Sequence, residues 1–313
     1  MNSLVLNNIT KTFDKGSVLA VDNVSFSVKE GELFGLIGPD GAGKTTIFRI
    51  LSTLMLPDKG NASVLGYDVV KDYKKIRNLV GYMPGRFSLY QDLSVKENLQ
   101  FFATLFGKSI EKNYDIIKDI YEQIKPFSNR RAGKLSGGMK QKLALSCALI
   151  HKPKILFLDE PTTGVDVVSR FEFWEILKKL KSQGITILVS TAYMDEAMKC
   201  ERIALIQKGK MLGLDTPQKI IESYPMKLYG AKADDIYSLL KDLRNYDQVE
   251  SCYPFGEWLH VTIKNPNADG LEVLKTFPNS STHQNLEVKI IEPGIEDNFI
   301  RLMNTSDNSR DNN

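Results

Sequence analysis

Residues 38–46 read GPDGAGKTT, and this stretch decides the fold. Gly38, Gly43, Lys44 and Thr45 fill the pattern G-x-x-x-x-G-K-[ST]. The glycines let backbone N–H groups converge on phosphate oxygens with no side chain in the way. Lys44 sets a cation against the β- and γ-phosphates of a nucleotide, and Thr45 offers a hydroxyl to Mg²⁺. Pro39, Asp40, Gly41, Ala42 and Thr46 complete the candidate nucleotide-binding set. The pattern needs a strand before it and a helix after it. LFGLIG (33–38) is a continuous apolar run, as a buried strand requires, and residues 44–55 have a helical pattern.

Outward from the loop, KILFLDE (154–160) and GITILVST (184–191) are two more buried strands. The helix SRFEFWEILKKLKSQ (169–183), stopped by Gly184, separates them. Such alternation of strand and helix implies an α/β core with a mainly parallel sheet. LVLNNITKTF (4–13) and VDNVSFSVKEGE (21–32) alternate apolar and polar residues as half-buried antiparallel strands do, and RIALIQKGKMLG (202–213) reads as a hairpin. VKENLQFFATLF and MKQKLALSCALI mark a helical subdomain over about 85–150. The pattern changes near Pro217. Residues 217–305 read β-α-β-β-α-β, the order of a small ferredoxin-like α+β domain, and the polar end at 306–313 reads as a disordered tail. The expected domains are therefore 1–216 and 217–305.

Bulk properties fit a soluble globular protein of about two domains: 313 residues, 42% hydrophobic and 25% charged. No stretch approaches the roughly 18 apolar residues that cross a bilayer. The N-terminus lacks the basic and apolar regions of a signal peptide. Cys147, Cys200 and Cys252 are odd in number and far apart, which fits reduced buried thiols rather than a metal site. Lys and Arg exceed Asp and Glu by 8 over residues 1–216 and fall short by 5 beyond them. That acidic balance argues against nucleic acid as a partner of the second part.

ILFLDEP (155–161) supplies the other half of the chemistry. Asp159, at the end of an apolar strand, is placed to hold Mg²⁺, and Glu160 to polarise an attacking water as general base. LSGGMKQ (Leu135, Ser136, Gly137, Gly138, Met139, Lys140, Gln141) opens a helix with a serine and two glycines, a second anion-binding surface. One chain thus carries two phosphate-binding elements.

With GPDGAGKTT, LSGGMKQ, ILFLDE and the following GVD in this order and spacing, residues 1–216 resemble the ATP-binding cassette (ABC) family. The resemblance implies a P-loop NTPase fold with RecA-like core, antiparallel β subdomain and helical subdomain. It implies ATP and Mg²⁺ as cofactors, and ATP hydrolysis. Two cassettes meet head to tail in that family, so each ATP lies between one cassette's Lys44-type loop and the other's signature. The resemblance makes Phe13 the aromatic that stacks on adenine and Asp166 the residue that touches the partner cassette.

Two positions depart from the family pattern. Gly85 stands where a glutamine is usual, and Ala192, in LVSTAYMDEA (188–197), stands where a histidine contacts the γ-phosphate. The three histidines, 151, 260 and 283, lie elsewhere. The chain is similar to the degenerate N-terminal cassette of tandem bacterial efflux ATPases that energise ABC-2-type exporters. That likeness implies a second cassette, heteromeric or a second copy, ABC-2-type permease subunits in the membrane and a periplasmic adaptor as partners. It places the chain in the cytoplasm, peripheral on the inner face of the membrane. The alternative is a non-transport ABC ATPase or nucleotide sensor that binds ATP to assemble a partner.

Overall fold

The computed structural model describes residues 1–308. They divide into two compact units, Met1–Pro217 and a second that begins at Gln218. In chain order the first unit comprises β1 (Asn2–Phe13), β2 (Val18–Lys29), β3 (Leu33–Ile37), α1 (Lys44–Leu51), β4 (Lys59–Val64), β5 (Tyr67–Asp68), α2 (Tyr73–Leu79) and β6 (Val80–Met83). It continues through α3 (Val95–Leu105), α4 (Ile110–Tyr121), α5 (Gly137–Leu149), β7 (Ile155–Asp159), α6 (Val167–Ser182), β8 (Thr186–Thr191), α7 (Met194–Ala197), β9 (Arg202–Gln207) and β10 (Lys210–Asp215).

Six of these strands form the central sheet, in the order β10-β9-β3-β8-β7-β6. All its pairs are parallel except the β9–β10 hairpin. β3, β7 and β8 are buried along their whole length, which explains their unbroken apolar runs. The second sheet, β2-β1-β4-β5, is antiparallel. Its register slips between Leu6 and Ile9, where Asn8 takes φ 52. That bulge shifts the buried phase from Leu4 and Leu6 to Ile9. The two sheets and α1 enclose one core, in which Phe26 of β2 stacks on Phe34 of β3 at 5.4 Å.

The register sets the site. Ile37 pairs with Thr191, Asp159 with Ser190, and Met83 with Leu158. The residues that follow these pairs, Gly38, Gly85, Glu160 and Ala192, therefore emerge along one edge of the parallel sheet, where open α/β sheets bind ligands. α1 is shorter than its sequence pattern. It stops at Leu51 because the Ser52 hydroxyl turns back to the Phe48 carbonyl and Thr53 takes φ 62.

Between β6 and β7 the chain is helical. α3 opens with a reciprocal Ser94–Glu97 capping box. Asn98, fully buried in α3, accepts from the Tyr90 N–H and donates to the carbonyls of Tyr90, Leu93 and Ser94. This one amide fixes the segment that leads from Gly85 into the helices.

The second unit contains α8 (Pro217–Glu222, beginning at the junction), β11 (Leu228–Lys232), α9 (Ile236–Asn245), β12 (Val249–Phe255), β13 (Trp258–Ile263), α10 (Gly270–Lys275), β14 (Glu287–Ile291) and α11 (Ile295–Asn308). The sheet order β12-β13-β11-β14 is antiparallel throughout. Leu239 and Leu243 of α9 and Leu274 of α10 pack on one face of it, with Tyr229, Leu259 and Val261. This is the ferredoxin-like sandwich expected from the β-α-β-β-α-β order. The polar end is a correction: α11 continues through Asn308, so residues 306–308 are helical rather than disordered. The Asn304 amide donates to the Tyr253 hydroxyl and the Thr305 hydroxyl to the Arg301 carbonyl. Once such a helix is nucleated and anchored, each added residue costs little. Residues 309–313 of the expected tail lie outside the described residues.

Candidate functional site

The loop between β3 and α1 is held by backbone fit. Gly43 caps α1 at φ 102, and a Cβ there would stand 2.4 Å from the Ala20 carbonyl oxygen. A Cβ on Gly38 would stand 2.1 Å from the Ile206 oxygen. Both glycines are therefore demanded by the protein's own packing as well as by room for phosphate. Ala42 is buried, Pro39 and Thr46 are half-buried, and Asp40 and Gly41 are exposed. Lys44 is only 3% exposed. Its Nζ donates to the carbonyls of Gly38 at 2.7 Å and Pro39 at 2.9 Å, and pairs with Glu160 Oε1 at 3.0 Å.

Asp159 and Glu160 sit across from the loop at the end of β7. Asp159 is 1% exposed. Burial pushes its carboxyl above the usual carboxylate range. Hydrogen bonds from the Ser190 and Thr45 hydroxyls pull the other way, the Glu160 charge adds to the rise, and Lys44 opposes it. Glu160 takes φ 49, a left-handed conformation that costs about 1–2 kcal/mol in an L-residue. Its N–H, donating to Ser190 Oγ at 2.9 Å and to the Ser190 carbonyl at 3.1 Å, holds it there. Ser190 Oγ in turn donates to Asp159 Oδ1 at 2.7 Å. One fully buried hydroxyl thus positions both carboxylates. Sequence reasoning missed Ser190; a polar side chain in an otherwise apolar buried strand was the available signal.

The donor set suits Mg²⁺. One carboxylate and one hydroxyl, Asp159 and Thr45, match an ion that keeps several waters and takes its other ligands from phosphates. Among the described residues no cluster of three or more His, Cys, Asp or Glu groups forms a cage for any other ion.

The rim beside this cluster differs. Gly85 lies against β7, and a Cβ on it would meet the Asp159 carbonyl oxygen at 3.0 Å. Gln91, the first glutamine after Gly85 in the chain, does not take its place: it packs against Gly133. Ala192 follows β8, half-buried, and its polar neighbours are engaged with each other. Thr191 Oγ1 donates to the fully buried Glu196 at 2.6 Å and accepts from the Tyr193 N–H. Glu196 also receives Thr162 Oγ1 at 3.0 Å and Arg170 Nε at 3.2 Å. The Arg170 guanidinium lies 4.3 Å over the Tyr193 ring. Sequence reasoning did not find this knot of Thr162, Arg170, Thr191 and Glu196.

The remaining sequence-derived positions lie in other surroundings. Ser136 caps α5, accepting weakly from the Met139 N–H at 3.4 Å. Ser136 and Gly137 are exposed and Leu135 is buried. Gly138 is buried so tightly that a Cβ would stand 2.5 Å from Ser169 Oγ. Met139, Lys140 and Gln141 continue α5, with Lys140 over the Phe87 ring. Asp166 caps α6 by accepting from the Ser169 N–H at 2.9 Å, which holds its carboxyl below the usual range. The signature and the GVD loop are thus packed together. Phe13 ends β1, half-buried, outside the core and 5.9 Å from the Lys11 ammonium.

Comparison with known proteins agrees with this geometry. Residues 21–163 match the family described as ABC transporter. The chain is 34% identical to the Nod factor export ATP-binding protein I of Rhizobium sp. (strain N33), over 95% of each protein. The chain belongs to the family of ABC transporter ATP-binding proteins. It is also 42% identical over 308 residues to the probable multidrug ABC transporter ATP-binding protein YbhF of Escherichia coli (strain K12). That match covers 96% of this chain but 52% of YbhF, so this ABC chain spans about half the length of that relative. Among solved structures it is similar to the ATP-binding cassette MJ0796, a dimer in a post-hydrolysis state bound to ADP and Pi. The TM-score is 0.62 at 28% identity, covering 68% of this chain and 98% of that one. The family match, residues 21–163, lies within the first unit.

Proposed function

We propose that this cassette binds ATP with Mg²⁺, turns it over slowly at its own site, and works as the degenerate half of a cassette pair that drives export. The buried Lys44, held between two loop carbonyls and Glu160, carries the reading. Incoming phosphates compete with Glu160 for that ammonium, and the released carboxylate becomes free to accept a proton from water. Thr45 and Asp159 hold Mg²⁺, whose chemistry here is to neutralise phosphate charge. Phe13 supplies a face for the base. Thr191 cannot replace a missing γ-phosphate donor at Ala192, because its hydroxyl is committed to Glu196.

The exposed Ser136 and Gly137 support a role in closing a partner cassette's nucleotide site. Asp166 caps α6 at the end of the loop whose Gly164 and Val165 lie against Gly137, and supports the same interface. For the permease, the unit offers a mainly apolar cleft of about 480 Å³ lined by residues such as Met83, Pro84, Phe87, Phe102 and Leu105. Among the described residues no helix is long and apolar enough to cross a membrane, so a permease would tether the chain to the inner face. Export as the direction rests on the names of the relatives.

Steady-state ATPase of the reconstituted pair tests this. A bulky Ser136→Trp substitution should suppress turnover more than Glu160→Gln does. Equal losses would mean that both sites hydrolyse. The Ala192 arrangement also favours a second reading, a nucleotide sensor; absence of any turnover with the partner present would select it.

A further inference from the structure

The second unit holds a cavity of about 500 Å³, within the range of small-molecule sites. Its walls come from the segment before β11, from β12 and β13, and from α11. One side is apolar: Pro225, Met226, Leu228 and Ile300. The other side has more hydrogen-bond donors than the protein uses. Arg301 Nε donates to Asn298 Oδ1 at 3.0 Å, and among the described residues no carboxylate pairs with its guanidinium. The Tyr253 hydroxyl oxygen accepts from Asn304, so its proton remains to be donated. The Tyr224 hydroxyl has no hydrogen bond to a described residue, and burial pushes its pKa up to about 12, so it stays a donor.

The acids on this wall are already answered or outlying. Asp297 receives the Gly294 N–H at 2.7 Å on Oδ2 and the His260 ring at 2.6 Å on Oδ1. Glu250 is exposed, in water that screens it. A cation among unsatisfied hydroxyl donors, facing an apolar wall, is matched by one oxyanion on a hydrocarbon body. We propose that this cavity binds a small organic monocarboxylate, its carboxylate on Arg301, Tyr224 and Tyr253 and its hydrocarbon part along Met226, Leu228 and Ile300. A phosphate fits less well, because its second charge would find no further guanidinium or ammonium group on this wall.

The test is calorimetric titration of the full-length protein with hexanoate, benzoate and inorganic phosphate. At least one of the two carboxylates should saturate, and phosphate should bind more weakly than that carboxylate. Arg301→Gln should weaken carboxylate binding about tenfold or more, since it removes a charge-assisted hydrogen bond. Tyr224→Phe keeps the shape of the site and should weaken it by roughly threefold. If Arg301→Gln does not fold, Tyr224→Phe and Tyr253→Phe together decide. ATP binding, which uses the other unit, should be unchanged in all variants. Three results would overturn the proposal: no saturation by either carboxylate, phosphate binding tighter than both, or variants that bind carboxylate as wild type does.

Discussion

Two neighbouring places on the edge of one sheet, the Lys44–Glu160 cluster and the Ala192 turn, use their polar groups in opposite ways. In the first, Lys44, Asp159 and Glu160 are buried or half-buried, but each has a contact that a phosphate or a metal ion can replace. In the second, Thr162, Arg170 and Thr191 all converge on the buried Glu196, and this knot ties β8 to α6. The first is arranged for exchange and the second for stiffness. On the proposed function, the same strand-to-helix edge binds a ligand without completing the reaction that the ligand undergoes. What decides is whether a donor remains uncommitted.

The comparison breaks most easily at Lys44. Lys44→Ala removes the ammonium and leaves Glu160 unanswered beside the phosphates. Hydrogen bonds to charged groups contribute about 1.5–3 kcal/mol each, so ATP affinity should fall on the order of 100-fold. Calorimetric titration measures it, and equal affinities of variant and wild type would remove the loop from the site.

Ser190→Ala is the next step down. It strips Asp159 of a hydrogen bond and the Glu160 N–H of an acceptor in a buried place, for about 1–3 kcal/mol of stability. Mg²⁺-dependent tightening of ATP binding should weaken with it, while ATP affinity without metal stays close to wild type. Ser190→Thr should restore the metal effect. A variant that loses only thermal stability would reduce Ser190 to a structural role.

These two residues show what was legible in the sequence. Lys44 lies one residue from Gly43 and six from Gly38, so its motif is a local string that spacing alone exposes. Ser190 meets Asp159 across 31 residues of chain, and Thr162 meets Glu196 across 34. Only strand register brings them together, and one sequence does not state its register. The β-α-β-β-α-β order of the second unit was readable because each element has its own period. The helical extension of α11 was not, because a side-chain anchor to Tyr253 overrides a polar composition.

The rim can be sharpened rather than broken. Ala192→His restores a donor and should raise turnover at this cassette's own site. The gain should stay below the 10²–10³-fold that a preorganised donor can supply, since the Thr191–Glu196 knot was not built around it. Gly85→Gln should gain less, because its Cβ crowds the Asp159 carbonyl at 3.0 Å and must displace it. Single-turnover hydrolysis by the isolated chain separates the two. A larger gain from Gly85→Gln would place the missing function on that side of the site.

The smallest effect is expected at Asp58, which secures the end of β1 that carries Phe13. Asp58 receives the Lys11 ammonium at 2.6 Å, the Thr12 N–H at 2.7 Å and the Thr12 hydroxyl at 2.8 Å. The Lys11 bond first, then those of Thr12, push its carboxyl from 3.8 down to about 2. A depressed carboxylate contributes stability that is present above the unfolded value and is lost as pH falls through the folded one. The wild type should therefore lose this contribution between about pH 4 and pH 2, and Asp58→Ala should show a flatter acid limb over that window. Because Asp58 is exposed, the change in melting temperature at neutral pH should be slight. If Phe13 stacks on the base, loosening Thr12 should also weaken ATP binding by less than Phe13→Ala does. An Asp58→Ala variant with an unchanged acid limb but much weaker ATP binding would show that the carboxylate acts on the nucleotide directly rather than through the strand.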